Sequence, residues 1–167
     1  MLTCDLVSKI TEQIERTSHL TRLVPAEQLP WRPPIPGAWS TSELLGHLLD
    51  CLAGFCAVLH RAEPERLGHF AGLRTLPVNL ACGIEEACER MELYQRHIDE
   101  GFTALTDADL GRKLSTVFVP EGESMLTLLL GNLEHLINHK HQLFVYLKLM
   151  GVDVTTPDLY HLRGATK

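Results

Sequence analysis

Apolar residues recur at helical spacing in four separate stretches of this chain. Within each stretch they follow one another mostly at intervals of three or four, with charged or polar residues between them. A period near 3.6 residues indicates an amphipathic helix that turns one face to a core. Four long helices joined by loops predict an all-α protein with a four-helix bundle. We expect these helices at about residues 2–24, 41–62, 83–105 and 125–150.

Residues that start or stop helices stand at these expected boundaries. Pro25 ends the first helix, because a proline ring has no N–H to continue the hydrogen-bond ladder. Ser40 followed by Glu43 is a capping box, in which both side chains bind backbone N–H groups left open at a helix start. Ser124 can cap the fourth helix, and Gly151 follows that helix where a left-handed residue is favoured.

The connecting segments contain prolines, glycines and mixed polarity. Residues 30–37 hold four prolines and a glycine, which predicts an extended loop. Residues 64–82 predict a loop with at most a short turn of helix. Residues 111–123 are typical of an irregular loop or a short hairpin. The tail at 152–167 has no clear period, and we expect it to pack on the bundle or cover one end.

Composition and charge narrow the class of protein. The chain has 167 residues, of which 45% are hydrophobic and 22% charged, and a formal net charge of -6. This size predicts one domain over residues 1–167. The acidic balance argues against a nucleic-acid partner. No apolar run approaches the roughly 20 residues of a membrane helix, and the N-terminus lacks a secretory signal pattern. We therefore expect a cytoplasmic protein without a membrane partner.

Histidines supply the candidate chemistry. His135 and His139 are four residues apart in the fourth helix, so they project from one face and can share a cation. His47 is a third candidate, within the apolar pattern of the second helix. Imidazole nitrogen suits zinc, nickel and similar metals, and three protein ligands leave positions open for water or substrate. The spacing alone also allows histidines that face solvent or find hydrogen bonds in the core.

The remaining histidines and the cysteines have simpler interpretations. His141 lies about 200° around the helix from His139, which removes it from the metal-binding face. Cys51, four residues after His47, can approach the ion, but core packing is the favoured interpretation. The five cysteines are odd in number and lack a CxxC pair, so we expect mainly reduced core residues. We expect surface or locally hydrogen-bonded positions for His19, His60, His69, His97 and His161.

Residues 135–151 read HLINHKHQLFVYLKLMG, and residues 39–50 read WSTSELLGHLLD. These two segments resemble the DinB/YfiT-like metalloproteins, a superfamily of four-helix bundles. The first is similar to a fourth-helix pattern in which histidine, arginine, glycine and glutamine precede a Tyr-Leu-x-Leu-x-Gly ending. His139 and Gln142 match the first and last of those four positions. Lys140 and His141 stand where arginine and glycine are common.

The resemblance implies a ligand set. In that family one histidine on the second helix and a pair on the fourth bind metal, which here are His47, His135 and His139. Two residues are candidates for hydrogen bonds to the ligand imidazoles. Gln142 belongs to the matching pattern. Asp50 can accept a hydrogen bond from a ligand imidazole or can be a solvated helix residue.

The resemblance also implies a reaction class. Its characterised members include transferases and isomerases that use a low-molecular-weight thiol such as bacillithiol or mycothiol. We therefore predict a metal-dependent thiol S-transferase that holds zinc or nickel and acts on a small molecule, with a homodimer as its assembly. The first alternative is a metal-dependent hydrolase, for which Asp50 and Glu134 are acid–base candidates. The second is a non-catalytic metal-binding or interaction scaffold. No residue is assigned a catalytic role.

Overall fold

Four long helices form the fold in the computed structural model, which describes residues 2–116 and 119–160. Short 3-10 helices, a two-stranded hairpin and a final turn of α-helix connect and extend them. The long helices are α1 Leu2–Arg22, α2 Thr41–Ala62, α3 Ile84–Thr103 and α4 Met125–Leu149. The short elements are η1 Ala26–Gln28, η2 Gly68–Thr75, η3 Asp107–Gly111, β1 Lys113–Leu114, β2 Glu123–Ser124 and α5 Thr156–Leu159. The predicted all-α class and four helices are confirmed.

Helices α2 and α3 run in the same direction. The backbone N–H of Cys82 donates to the carbonyl of Ser42, so the two helices begin at the same end of the bundle. At the other end the Arg66 guanidinium donates to the carbonyl of Ala104, just beyond the end of α3. The connection at 63–83 must therefore return along the length of the bundle. Such a long crossover is one of the known ways to connect four packed helices.

The core lies where α2 packs against α3 and α4, with α1 closing the opposite side. Helix α2 is long and apolar enough by composition to cross a membrane. Its leucines, however, are buried inside the bundle, which accounts for that apolar character. The fully buried leucines of α2 are Leu44, Leu45, Leu48, Leu49, Leu52 and Leu59. The fold is of the soluble type.

The predicted helix boundaries agree with the structure to within two residues, and α1 already ends at Arg22, before Pro25. The Glu43 N–H donates to Ser40 Oγ over 3.2 Å, and the Ser40 N–H donates to the Glu43 carboxylate over 2.7 Å. The Thr127 N–H donates to Ser124 Oγ over 3.1 Å at the start of α4. Gly151 follows α4 with a φ of 81°, a conformation that costs little only without a side chain.

The connection between α2 and α3 is more ordered than the sequence predicted. Instead of at most a short turn, it contains the eight-residue 3-10 helix η2. The reason is Phe70, whose ring is 1% exposed and fixes this segment to the core. A single buried ring in a segment of mixed polarity gives no periodic signal. For residues 111–123 the sequence predicts an irregular loop or a short hairpin. The hairpin is confirmed, since Lys113 pairs with Ser124 in an antiparallel register.

The described part of the tail packs on the bundle, as predicted. Helix α5 lies against α1, and Leu159 is buried there. Beneath it the Lys140 ammonium, 3% exposed, donates to Gln13 Oε1 over 2.9 Å. Burial lowers the pKa of Lys140 to about 8, and the Arg16 charge acts in the same direction. Residues 161–167, including His161, lie outside the described residues.

The buried ammonium gives a pH-dependent stability. Because Lys140 holds its proton less tightly in the folded chain, the unfolded chain binds more protons between about pH 8 and its ordinary pKa of 10.5. We expect the free energy of unfolding to rise across that window by on the order of 1–3 kcal/mol more in the wild type than in Lys140→Met. Urea denaturation from pH 7 to pH 10 measures the difference. The exposed Lys113→Met is the control, and parallel pH curves for wild type and Lys140→Met would contradict the expectation.

Candidate metal centre

Three imidazole rings meet between α2 and α4. His47 projects from α2, and His135 and His139 project from α4 one turn apart. Ring centroids are 4.9 Å apart for His47 and His135, 4.4 Å for His47 and His139, and 4.8 Å for His135 and His139. One nitrogen of each ring lies within 4.8 Å of the other two. The structure therefore brings together all three histidines selected from the sequence.

The ring of His47 is oriented by the connection between α2 and α3. Its Nδ1–H donates to the side-chain oxygen of Asn79, which leaves the Nε2 lone pair for the centre. Asn79 adopts a φ of 57°, and its own N–H donates to the carbonyl of Gly46. Asparagine tolerates this left-handed conformation better than most residues. The loop is thus fixed to α2 at the residue before the histidine.

Gly46 makes this approach sterically feasible. A Cβ built there would lie 1.8 Å from the carbonyl oxygen of Leu80, well inside van der Waals contact. Any side chain at this position would push the connection away from α2. The same displacement would remove Asn79 from hydrogen-bonding distance of His47. Gly46 is therefore a requirement of the site as well as of helix packing.

A second chain of hydrogen bonds orients His139. Its Nδ1–H donates to Gln142 Oε1 over 2.8 Å. The Gln142 amide donates to the Tyr146 hydroxyl over 3.1 Å, and that hydroxyl donates to the carbonyl of Trp39 over 3.1 Å. The chain connects α4 to the residue just before the capping box of α2. Like Asn79 at His47, it leaves the Nε2 atom of His139 available.

The indole of Trp39 lies beside the centre. Its centroid is 4.3 Å from the His47 ring and 5.5 Å from the His139 ring. The indole is itself exposed, so one of its faces is available to a molecule that approaches the histidines. Aromatic faces of this kind pack well against apolar or cationic groups.

Burial favours the neutral form of the imidazoles on α4. It lowers the pKa of both His135 and His139, because an imidazolium loses hydration between the helices. A charge on His47 lowers both pKa values further. The Asp50 carboxylate opposes this shift at His135, as the hydrogen bond that His139 donates to Gln142 does at His139. Neutral imidazole is the form that ligates metals.

The donor set fits a divalent transition metal. Two nitrogens bound to one tetrahedral zinc at about 2.0–2.1 Å lie about 3.3 Å apart. The Nε2 atoms of His47 and His135 are 3.0 Å apart, close to that separation. Within residues 2–116 and 119–160 no fourth histidine, cysteine or carboxylate belongs to this group. Three imidazoles suit zinc or nickel, and such a set would leave coordination positions for solvent or substrate.

The other candidates from the sequence occupy different positions. Gln142 contacts His139 directly, whereas no hydrogen bond in the described part of the chain joins Asp50 to the three imidazoles. Cys51 is buried outside the group, and burial raises the pKa of its thiol to about 12, which disfavours a thiolate. His141 and Glu134 are exposed on α4. The acid–base role considered for Glu134 therefore has no geometric support.

Sequence reasoning missed two features. Asn79 gave no signal, because a single asparagine in a loop does not reveal which helix it contacts. His69 is exposed and His97 is hydrogen-bonded to the carbonyl of Leu93, as expected, but with Glu100 they also form a second group of potential ligands that the sequence did not indicate. Their separation along the chain hid the grouping. His19, by contrast, is locally bonded as expected, with Nε2 3.2 Å from Asp158 Oδ1.

Comparison with known proteins identifies the family. A family model of the DinB superfamily matches residues 9–143. The chain belongs to the DinB superfamily. A search of curated proteins gave no significant match.

Solved structures share the DinB fold. A DinB-like protein from Bacillus subtilis is 20% identical with a TM-score of 0.66, and the match covers 88% of this chain and 92% of that one. A putative DinB family member from Exiguobacterium sibiricum is 25% identical with a TM-score of 0.64, over 93% and 96% of the two chains. A mycothiol-dependent maleylpyruvate isomerase is 14% identical with a TM-score of 0.54, over 95% of this chain and 65% of the isomerase.

The contact between Asn79 and His47 can be tested by substitution. We expect Asn79→Ala to weaken zinc binding about 10- to 100-fold, because the imidazole loses the acceptor that fixes its tautomer and orientation. Asn79→Asp should retain most of the affinity, since a carboxylate accepts the same hydrogen bond. Competition with a chromogenic chelator measures the affinity. Asn138→Ala, an exposed change on α4, is the control, and equal affinities for the two alanine variants would argue against the role of Asn79.

Proposed function

We propose that this DinB-superfamily protein is a metal-dependent thiol S-transferase that uses a low-molecular-weight thiol. The observation that carries the proposal is the convergence of three imidazoles beside the exposed indole of Trp39. Three protein ligands with further open positions are typical of catalytic rather than structural zinc sites. This favours an enzyme over a scaffold.

The chemistry of the site supports a thiol as co-substrate. A divalent transition ion held by His47, His135 and His139 would supply a Lewis acid that lowers the pKa of a thiol. Residues around the centre orient the ligand imidazoles and pack beside them. Asn79 and Gln142 hold the imidazoles of His47 and His139 in one tautomer, and the Trp39 indole packs beside the His47 ring.

The choice of thiol over water has support from a structural neighbour. The isomerase that shares the DinB fold is mycothiol-dependent. Its low identity carries the fold alone, so the proposal rests on the donor set together with the absence of a placed general base. In the described part of the chain, Asp50 makes no hydrogen bond to the imidazoles, and Glu134 is exposed. A hydrolase would need such a group close to the ion.

The proposal also covers the compartment, substrate class, partners, assembly and metal of the enzyme. We expect a cytoplasmic enzyme that acts on a small electrophilic molecule, without a nucleic-acid or membrane partner, and as a homodimer. Zinc or nickel is the proposed metal. The acidic charge of the chain and its soluble-type fold support this setting.

Removal of one ligand should remove the metal without unfolding the bundle. We expect His139→Ala to lose the metal of the three-histidine centre, one equivalent of zinc or nickel, while its helical content stays near that of the wild type, because the apolar core does not include this side chain. Metal analysis and circular dichroism measure the two properties. His141→Ala lies two residues further on the exposed face and should keep its metal. Equal metal content in both variants would overturn the ligand assignment.

The thiol can be tested by spectroscopy on the cobalt-substituted protein. We expect bacillithiol or mycothiol to produce a sulfur-to-metal charge-transfer band, because thiolate sulfur binds borderline ions well. The band should be absent in His47→Ala and present in His141→Ala. Turnover of an electrophilic substrate that requires the same thiol would then support the transferase. A cobalt spectrum unchanged by these thiols, together with hydrolysis of an ester, would overturn the transferase proposal. It would favour a hydrolase that uses metal-bound hydroxide.

A further inference from the structure

A second group of potential ligands lies away from the three-histidine centre. His69 of η2 and His97 and Glu100 of α3 place one ligand atom each within 4.8 Å of the others. We propose that these residues form a second binding site for a divalent transition metal, which joins η2 to α3. The proposal does not depend on the activity proposed for the first centre.

The two residues of this group on α3 can each supply one ligand atom to a shared ion. His97 and Glu100 are three residues apart in the helix, so their side chains lie on the same side. The Nδ1–H of His97 donates to the carbonyl of Leu93 over 2.8 Å. This bond selects the tautomer whose Nε2 carries the lone pair, as the outer hydrogen bonds of metal-bound histidines do.

The third ligand is positioned by the core. His69 Nε2 lies 3.1 Å from each oxygen of the Glu100 carboxylate, near the separation of about 3.3 Å between two ligands of one tetrahedral ion. The neighbouring Phe70 is 1% exposed, and its ring contacts His97 with centroids 5.1 Å apart. Because Phe70 is fixed, η2 cannot easily carry His69 away from α3.

The simpler interpretation is an ion pair between His69 and Glu100. Both side chains are about half exposed, at 51% and 48%, and an exposed ion pair contributes little to stability. That interpretation gives no role to the Nε2 of His97. Two imidazoles and one carboxylate are a ligand set of known zinc sites. The exposure implies that solvent completes the coordination and that the ion exchanges more readily than one at the first centre.

The two groups are separate sites. His47 lies near the start of α2, whereas His97 and Glu100 lie near the end of α3. Since α2 and α3 run in the same direction, the groups are toward opposite ends of the bundle. The ion of the second site would restrain η2, a 3-10 helix of eight residues, which is longer than the three or four residues usual for this helix.

Metal stoichiometry tests the proposal. The full chain without a histidine tag is stripped with chelator and titrated with zinc by calorimetry. We expect two sites in the wild type and one in the double variant His135→Ala, His139→Ala. Addition of His97→Ala to that double variant should abolish the remaining site, whereas addition of His141→Ala should not. Zinc binding unaffected by His97→Ala would overturn the proposal.

A second measurement covers the case in which the double variant does not fold. In the otherwise unchanged chain, His97→Ala should lower the zinc stoichiometry from two to one. Hydrogen exchange should then show zinc-dependent protection of the Gly68–Thr75 amides in the wild type that is lost in His97→Ala. One zinc per chain in both the wild type and His97→Ala, with no zinc-dependent change in hydrogen exchange of η2, would overturn the proposal. His69 and Glu100 would then form an ion pair only. Failure at this site leaves the three-histidine centre untouched, because the latter responds to His139→Ala.

Discussion

An imidazole placed between two apolar helices loses part of its hydration, and this loss governs the candidate centre of this DinB-superfamily protein. Each ring needs a fixed partner for one nitrogen if the other is to remain free for a metal. His47 finds that partner in Asn79 and His139 in Gln142. Asn79 comes from the connection between α2 and α3, and Gln142 lies three residues after its histidine on α4. The site is therefore defined by the outer hydrogen bonds as much as by the three ligands.

The direction of the helices explains how one of those partners arrives. Helices α2 and α3 run the same way, so the connection between them must travel back along the bundle. On its way it passes α2 closely enough that Gly46 has no room for a Cβ beside Leu80. That close approach places Asn79 at His47. The crossover that the topology requires is thus also the segment that completes the centre.

The helices and ligands could be predicted because their signals are local. Periodicity, the Ser40 cap and Gly151 specify helix boundaries within a few residues of the chain, and the spacing of His135 and His139 puts both on one face. The roles of Asn79 and of the group at His69 could not be predicted in this way. Both arise where the 63–83 connection meets other helices, and a loop sequence does not encode which distant residue it contacts.

His139 and Lys140 are adjacent in α4 but point to different parts of the molecule. This matters because Lys140 stands where the family pattern commonly has arginine. Successive helical residues are rotated by about 100°, so Lys140 cannot share the face of His139. Its ammonium contacts Gln13 of α1 and lies under α5, on the side away from α2. Lys140 therefore lies between α1, α4 and the tail and does not act at the metal centre. The replacement of the common arginine leaves the ligand geometry intact for that reason.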